Sequence, residues 1–136
     1  MVMTFEYYLR KGSVKKTLPD KNRAKSLIKR LKLAEELGDP NFKLEMSYES
    51  LIECIEAIMA LNGYKSYSHE ADIAFLREMG FSEEYIVRLD NLRKLRHKSK
   101  YYGEIISKEL AEYTIEIAKD VLNKLLRIFE DRIKKI

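Results

Sequence analysis

Apolar residues recur along the chain at intervals of three and four, the period of helices with one buried face. Pro19 suits a first helical turn and Asp20 can cap it. From there Ala24, Leu27, Ile28, Leu31, Ala34 and Leu37 predict a helix that Gly38-Asp39-Pro40-Asn41 stops. A second helix is expected from about Asn41 to Leu61, with Leu44, Tyr48, Leu51, Ile55, Ile58 and Met59 at helical spacing and Asn62-Gly63 ending it. Ser66 or Ser68 can cap a third, which runs to about Met79 with Ala71, Ala74, Phe75 and Met79 inward and Gly80 closing it. Ser82, followed by Glu83 and Glu84 where a helix dipole is positive, opens a fourth, with Tyr85, Leu89 and Leu92 inward and Gly103 as terminator. Ser107 can cap the last, from Lys108 almost to the C-terminus.

That last helix bears two neighbouring apolar rows, Leu110–Tyr113–Ile117–Val121 and Ile115–Ala118–Leu122–Leu125–Phe129–Ile133. So wide a face exceeds what one partner helix covers, which implies a central place in the bundle or half of a dimer interface. Ahead of the main helices lie a short aromatic helix (Phe5, Tyr7, Tyr8) and a basic linker, Ser13 to Pro19. The expected fold is therefore all-α. It is an antiparallel up-and-down bundle of four main helices with short extra helices, one domain over residues 1–136.

Composition narrows this further. Five glycines and two prolines are too few for a many-turned sandwich or barrel, and 46% hydrophobic with 35% charged residues argues against disorder. Cys54 has no partner for a disulfide and reads as a buried structural thiol. No apolar run approaches a membrane span, and Lys11, Lys15 and Lys16 break any signal-peptide core, so a cytoplasmic protein is expected. Abundant Lys, Glu and Ile without Gln fits a heat-adapted source. Residues 1–34 hold ten Lys/Arg against Glu6 and Asp20, a balance of +8, while the rest of the chain stands at −4, giving the net +4. A basic front end on a mildly acidic body implies an anionic partner or a solvated helix face.

The usual catalytic motifs are missing. There is no glycine-rich phosphate loop, no Cys-x-x-Cys and no His-Glu-x-x-His, and His69 and His97 fall on different helices, so neither a metal nor a cofactor is expected. His69 reads as a capping or packing residue, and Tyr48 and Tyr64 as core or interface. One segment carries chemistry. Between Asp90 and Glu104 the chain holds five Lys/Arg and no acid, and Arg93, Arg96, His97 and Lys100 fall at i, i+3, i+4 and i+7, one helical stripe. Tyr101 and Tyr102 follow, the mixture of cations and rings that holds phosphates and stacks bases. Alternatively the arginines pair with glutamates of a neighbouring helix.

Read outward from this stripe, the chain resembles the HEPN family of small prokaryotic helical proteins over roughly Ala24 to Asp131. The similarity rests on three landmarks. They are Ser47-Tyr48-Glu49-Ser50-Leu51 running into Glu56-Ala57-Ile58-Met59-Ala60; Gly63-Tyr64-Lys65 followed by Ser68-His69-Glu70-Ala71; and Leu92-Arg93-Lys94-Leu95-Arg96 through Tyr101-Tyr102-Gly103. The resemblance implies a helical bundle, a homodimer with the signature residues at its interface, and a metal-independent ribonuclease or the partner of a minimal nucleotidyltransferase in a toxin–antitoxin-type pair. Arg96 matches the signature arginine, His97 the polar slot after it, and Tyr101 the position where ribonuclease members place histidine. Gly103 stands where some members carry an aromatic that accepts AMP, with Tyr102 adjacent.

Metal-free RNA cleavage needs a base for the 2′-hydroxyl and a cation for the charged phosphorane. Arg96 suits the second task. A tyrosine with a pKa of about 10 suits the first far less than a histidine at about 6.5, and since adjacent helical residues diverge by about 100°, His97 need not point where Tyr101 does. The expectation is therefore nucleotide or RNA binding at Arg93, Arg96, His97, Lys100 and Tyr102. Its rivals are cleavage by Arg96 with His97 or Tyr101, and a ligand-free protein-interaction module.

Overall fold

A computed structural model describes residues 2–18, 22 and 40–135. Its elements are α1 (Phe5–Lys11), β1 (Val14–Lys16), α2 (Pro40–Leu61), β2 (Tyr64–Ser66), α3 (His69–Phe75), a 3₁₀ turn (Leu76–Met79), α4 (Glu83–Tyr102) and α5 (Lys108–Lys134). The chain is mainly helical, as the apolar spacing predicts. The helix expected over residues 20–37 lies outside the described residues, apart from Asn22, which is helical and exposed.

Helix α2 is the centre. From Cys54 to Leu61 every residue but Glu56 is buried, together with Leu44, Tyr48, Leu51 and Ile52. A helix apolar on so many faces must be covered on several sides. The most extensive cover is α5, and α3, α4 and β2 pack on the remaining faces. On α5 the buried positions are Ala111, Thr114, Ala118, Val121, Leu125 and Phe129, a single stripe at intervals of three and four. The expected width is thus only partly used. Ile117, Leu122 and Ile133 are half-buried at the flanks, whereas Leu110 and Tyr113 are exposed beside α4. With Arg88, Asn91, Leu92, Leu95, Thr114 and Ile117 they line a groove of about 170 Å³.

Two expectations are corrected. The segment from Ser13 is not a plain linker: Val14–Lys16 pairs antiparallel with Tyr64–Ser66, Val14 opposite Ser66 and Lys15 opposite Lys65. The pairing is driven by burial, because Val14 is 2% exposed and Tyr64 meets the rings of Phe5 and Phe75 edge-on. The third helix changes character at Leu76, where the last turn tightens to 3₁₀ before Gly80. Ser68, not Ser66, caps its start, accepting from the Ala71 amide. Ser82 precedes α4 without a side-chain cap bond; Glu83 turns instead to Arg77, 2.7 Å away, and Arg77 also binds the carbonyl of Val2. This clasp ties the N-terminal segment to the start of α4. No described helix is long and apolar enough to cross a membrane.

Leu125 has no exposed surface, so Leu125→Ala should lower the unfolding free energy by about 2–5 kcal/mol. Leu110→Ala, at a position 39% exposed, should stay within about 1 kcal/mol of wild type. Urea denaturation of the two variants measures the difference; equal losses would mean that the groove wall is core after all.

Candidate functional site

The inner face of α4 changes chemistry along its length. Ile86, Leu89 and Leu92 bury apolar surface, but the next inward positions are Arg96 and Ser99, both buried. Polar side chains can be buried only against partners, and α2 supplies them at every fourth residue. Glu49 accepts from Arg96, Glu45 accepts from Ser99 at 3.3 Å, and Asn41 donates to Ser99 at 2.8 Å. Asn41 also donates to the Glu104 carbonyl at 2.7 Å and accepts from the Ile106 amide at 3.1 Å. As numbering rises on α2 it falls on α4, so the two helices run antiparallel across a polar seam. That seam pins the end of α4 and the loop after it, where the aromatic part of the sequence stripe lies.

The stripe is therefore not uniform. Arg96, 8% exposed, lies inside the seam with its guanidinium carbon 5.5 Å from the Tyr48 ring centre and 6.0 Å from that of Tyr101. Its Nε is buried with no acceptor among the described residues, so donor capacity is left over. Arg93 is half-buried; it donates to Asp90 at 2.8 Å and stands 3.8 Å from Glu70. Burial opposes its charge, but Asp90 and Glu70 outweigh that and hold the Arg93 pKa above its usual value. The arginines thus pair with carboxylates of the same and neighbouring helices, the alternative the sequence left open.

The rest of the stripe faces solvent. His97, Lys98, Lys100, Tyr101 and Tyr102 are all exposed. His97 and Tyr101, four residues apart on α4, bring their rings to 4.7 Å, and Tyr102 lies 5.7 Å from the same imidazole. The expected divergence of His97 from Tyr101 is thus corrected: residues four apart share a helix face, and the two rings meet. Lys100 adds an ammonium 5.7 Å from the Tyr101 ring. Gly103, with φ +64°, breaks the helix straight after these rings, a conformation in which other residues are strained.

Two residues read from sequence as packing belong to the same place. Tyr48 is fully buried beneath Arg96, and its hydroxyl lies 3.0 Å from Nδ1 of His69. Burial raises the Tyr48 pKa, helped by Asp72, so the phenol stays protonated. His69 is half-buried at the start of α3, and its pKa is lowered by burial and by the charges of Arg93 and Lys100. A neutral imidazole is therefore held against the cation stripe. The sequence signal for the seam is the row Asn41, Glu45, Glu49 at every fourth position of one helix; for His69 there is no local signal, because only the fold brings α3 to α4. Cys54, by contrast, is buried, and burial pushes its thiol up to about 12, which leaves it inert. Among the described residues no group of His, Cys, Asp or Glu is arranged to hold a metal ion.

The family model of the HEPN domain matches residues 21–129, most of the chain and the whole of the α2–α4 seam. The chain belongs to the HEPN family, which at the level of the family points to a nucleotide- or RNA-related role. No curated protein and no solved structure matches it.

Because the His69 pKa is lowered from 6.5, the unfolded chain binds the proton more readily than the folded one in the window between the lowered value and 6.5. Stability is therefore full above that window and falls as pH drops through it. Urea midpoints from about pH 7 to pH 5 should fall more for the wild type than for His69→Phe. Identical pH dependence in the two would contradict the assignment.

Proposed function

We propose that this protein binds a nucleotide or RNA at the C-terminal end of α4, as a HEPN protein whose ribonuclease motif is degenerate at Tyr101. One observation carries the reading: three exposed rings, His97, Tyr101 and Tyr102, cluster beside Lys100 and over the buried guanidinium of Arg96. Exposed rings offer stacking faces, and cations at their edge meet phosphate. The arginines act as fixed positive charge behind this surface, with Arg96 keeping an unused donor at Nε. Their carboxylate partners neutralise part of that charge, so binding is expected to depend on the rings as much as on the cations.

The reading extends further. The main helices form an antiparallel up-and-down bundle. The protein forms a homodimer and pairs with a minimal nucleotidyltransferase of toxin–antitoxin type in the cytoplasm. Support for the dimer is the apolar surface of Leu110 and Tyr113, which a second copy would cover.

The test is titration of a fluorescent single-stranded oligoribonucleotide, with AMP as competitor. Tyr101→Ala should weaken binding about 5- to 150-fold, the equivalent of about 1–3 kcal/mol for removing one stacking ring. Affinity should fall with rising salt. No binding of either probe at low salt would sink the reading.

A second reading, metal-independent cleavage, is favoured by His69. With Nδ1 protonated and donating to the Tyr48 oxygen, Nε2 keeps its lone pair and can take the proton of a 2′-hydroxyl as that oxygen attacks phosphorus. Arg96 or Arg93 would stabilise the phosphorane, and the departing 5′-oxygen would take a proton from the acid, His97 or Tyr101. Incubation of labelled RNA in EDTA decides between the readings. Products that disappear in both His69→Ala and Arg96→Ala would make it a ribonuclease; intact RNA leaves binding as the activity.

A further inference from the structure

A second basic surface lies on the two-stranded sheet, away from the polar seam. Lys15 of β1 and Lys65 of β2 stand directly opposite each other in the ladder. Opposite residues share a face about 5 Å apart, where like charges repel. Both ammonium groups nevertheless converge on one ring: their Nζ atoms lie 5.7 Å and 5.6 Å from the centre of Tyr67, which is 60% exposed. Among the described residues, no carboxylate lies within ion-pair distance of either lysine. A repelling pair whose local compensation among the described residues is an aromatic face is a surface suited to an anion that also stacks.

The ribbon is firmly held. Tyr67 donates its amide to the Ser13 carbonyl at 2.8 Å, and the opposite side of the sheet is anchored by buried Val14 and by Tyr64 packed on Phe5 and Phe75. A rigid platform loses little entropy when a ligand settles on it. The chain leads from it directly to His69, beside the cations of α4. One residue, Ser68, separates Tyr67 from His69, at most about 7 Å of chain, and His69 already feels the charges of Arg93 and Lys100.

We infer that Tyr67, Lys15 and Lys65 form a second stacking and phosphate site continuous with the α4 rings. The ligand is then a single strand of RNA spanning both, not a mononucleotide. This inference rests on the nucleic-acid reading of α4, and it gives the basic N-terminal segment a place in the same site. Recognition needs two features in register, a base on Tyr67 and the phosphates on its 5′ or 3′ side against the two lysines. An A-form duplex keeps its bases stacked internally and so cannot supply the first.

The experiment uses the full chain and a fluorescein-labelled oligouridine of about twelve nucleotides, within the ~4–16 that such platforms cover. Polarisation titrations over a salt series should show about tenfold weaker binding for Tyr67→Ala. Tyr67→Phe, which keeps the ring, should bind as the wild type does. The double variant Lys15→Ala/Lys65→Ala should flatten the dependence of log affinity on log salt by about 1.4, roughly 0.7 for each phosphate that is no longer neutralised. AMP affinity should be unchanged in all three. Thermal melts confirm folding, and all three side chains are exposed enough for the variants to keep it.

If these variants bind the oligouridine like the wild type while Tyr101→Ala does not, the inference is overturned and the α4 reading stands. A wild type that fails to bind the oligouridine at low salt overturns both. Equal affinity for a duplex of the same length, or loss of binding to phosphatidylserine vesicles with RNA affinity unchanged, would also overturn the inference.

Discussion

Helix α2 needs cover on nearly all of its circumference, and the rest of the fold follows from that demand. Leu44, Tyr48, Leu51, Ile55 and Ile58 have almost no exposed surface, so no single neighbour suffices. The long α5 takes one side through Val121, Leu125 and Phe129, while α3, α4 and the sheet close others. Even the pairing of β1 with β2 serves this end. Three residue pairs make a ribbon too small to stand alone; it is stable here because Val14, Phe5 and Tyr64 extend the same core.

Packing α4 against α2 brings charged groups into the boundary of that core. A buried guanidinium is tolerable only with a carboxylate and a ring beside it, and Arg96 has both, Glu49 and Tyr48. This arrangement fixes its position to within a side-chain contact, and it carries the exposed rings of His97 and Tyr101 on the next turn. Structural and functional demands on Arg96 are therefore not alternatives. A cation that is locked in place is a better electrostatic platform than one that must be ordered by its ligand. His69 follows the same logic, since burial, together with the charges of Arg93 and Lys100, keeps the imidazole neutral beside the Tyr48 hydroxyl.

Charge on the surface divides in a similar way. From the basic front end of the chain Lys15 comes to the ribbon, where it shares Tyr67 with Lys65. Helix α4 gathers its own cations at the opposite end of a short link through His69. Both surfaces combine ammonium groups with rings, and both sit on elements whose other face is tied to α2.

Much of this was legible in the sequence. Helical periodicity, the stops at Gly63, Gly80 and Gly103, and the cap at Ser107 are local properties, decided by residues within a turn of one another. The family landmarks and the stripe from Arg93 to Tyr102 were readable for the same reason. What needed the tertiary structure was every relation between distant segments. The strand at Val14–Lys16 exists only because Tyr64–Ser66 lies beside it, and three residues carry no period of their own. Which members of the stripe are buried, and that His69 joins them, depends on how α2 and α3 meet α4. Spacing along one helix tells which side chains share a face, but not what that face touches. Burial and charge pairing are decided across the contact, and there the fold, not the local pattern, sets the chemistry.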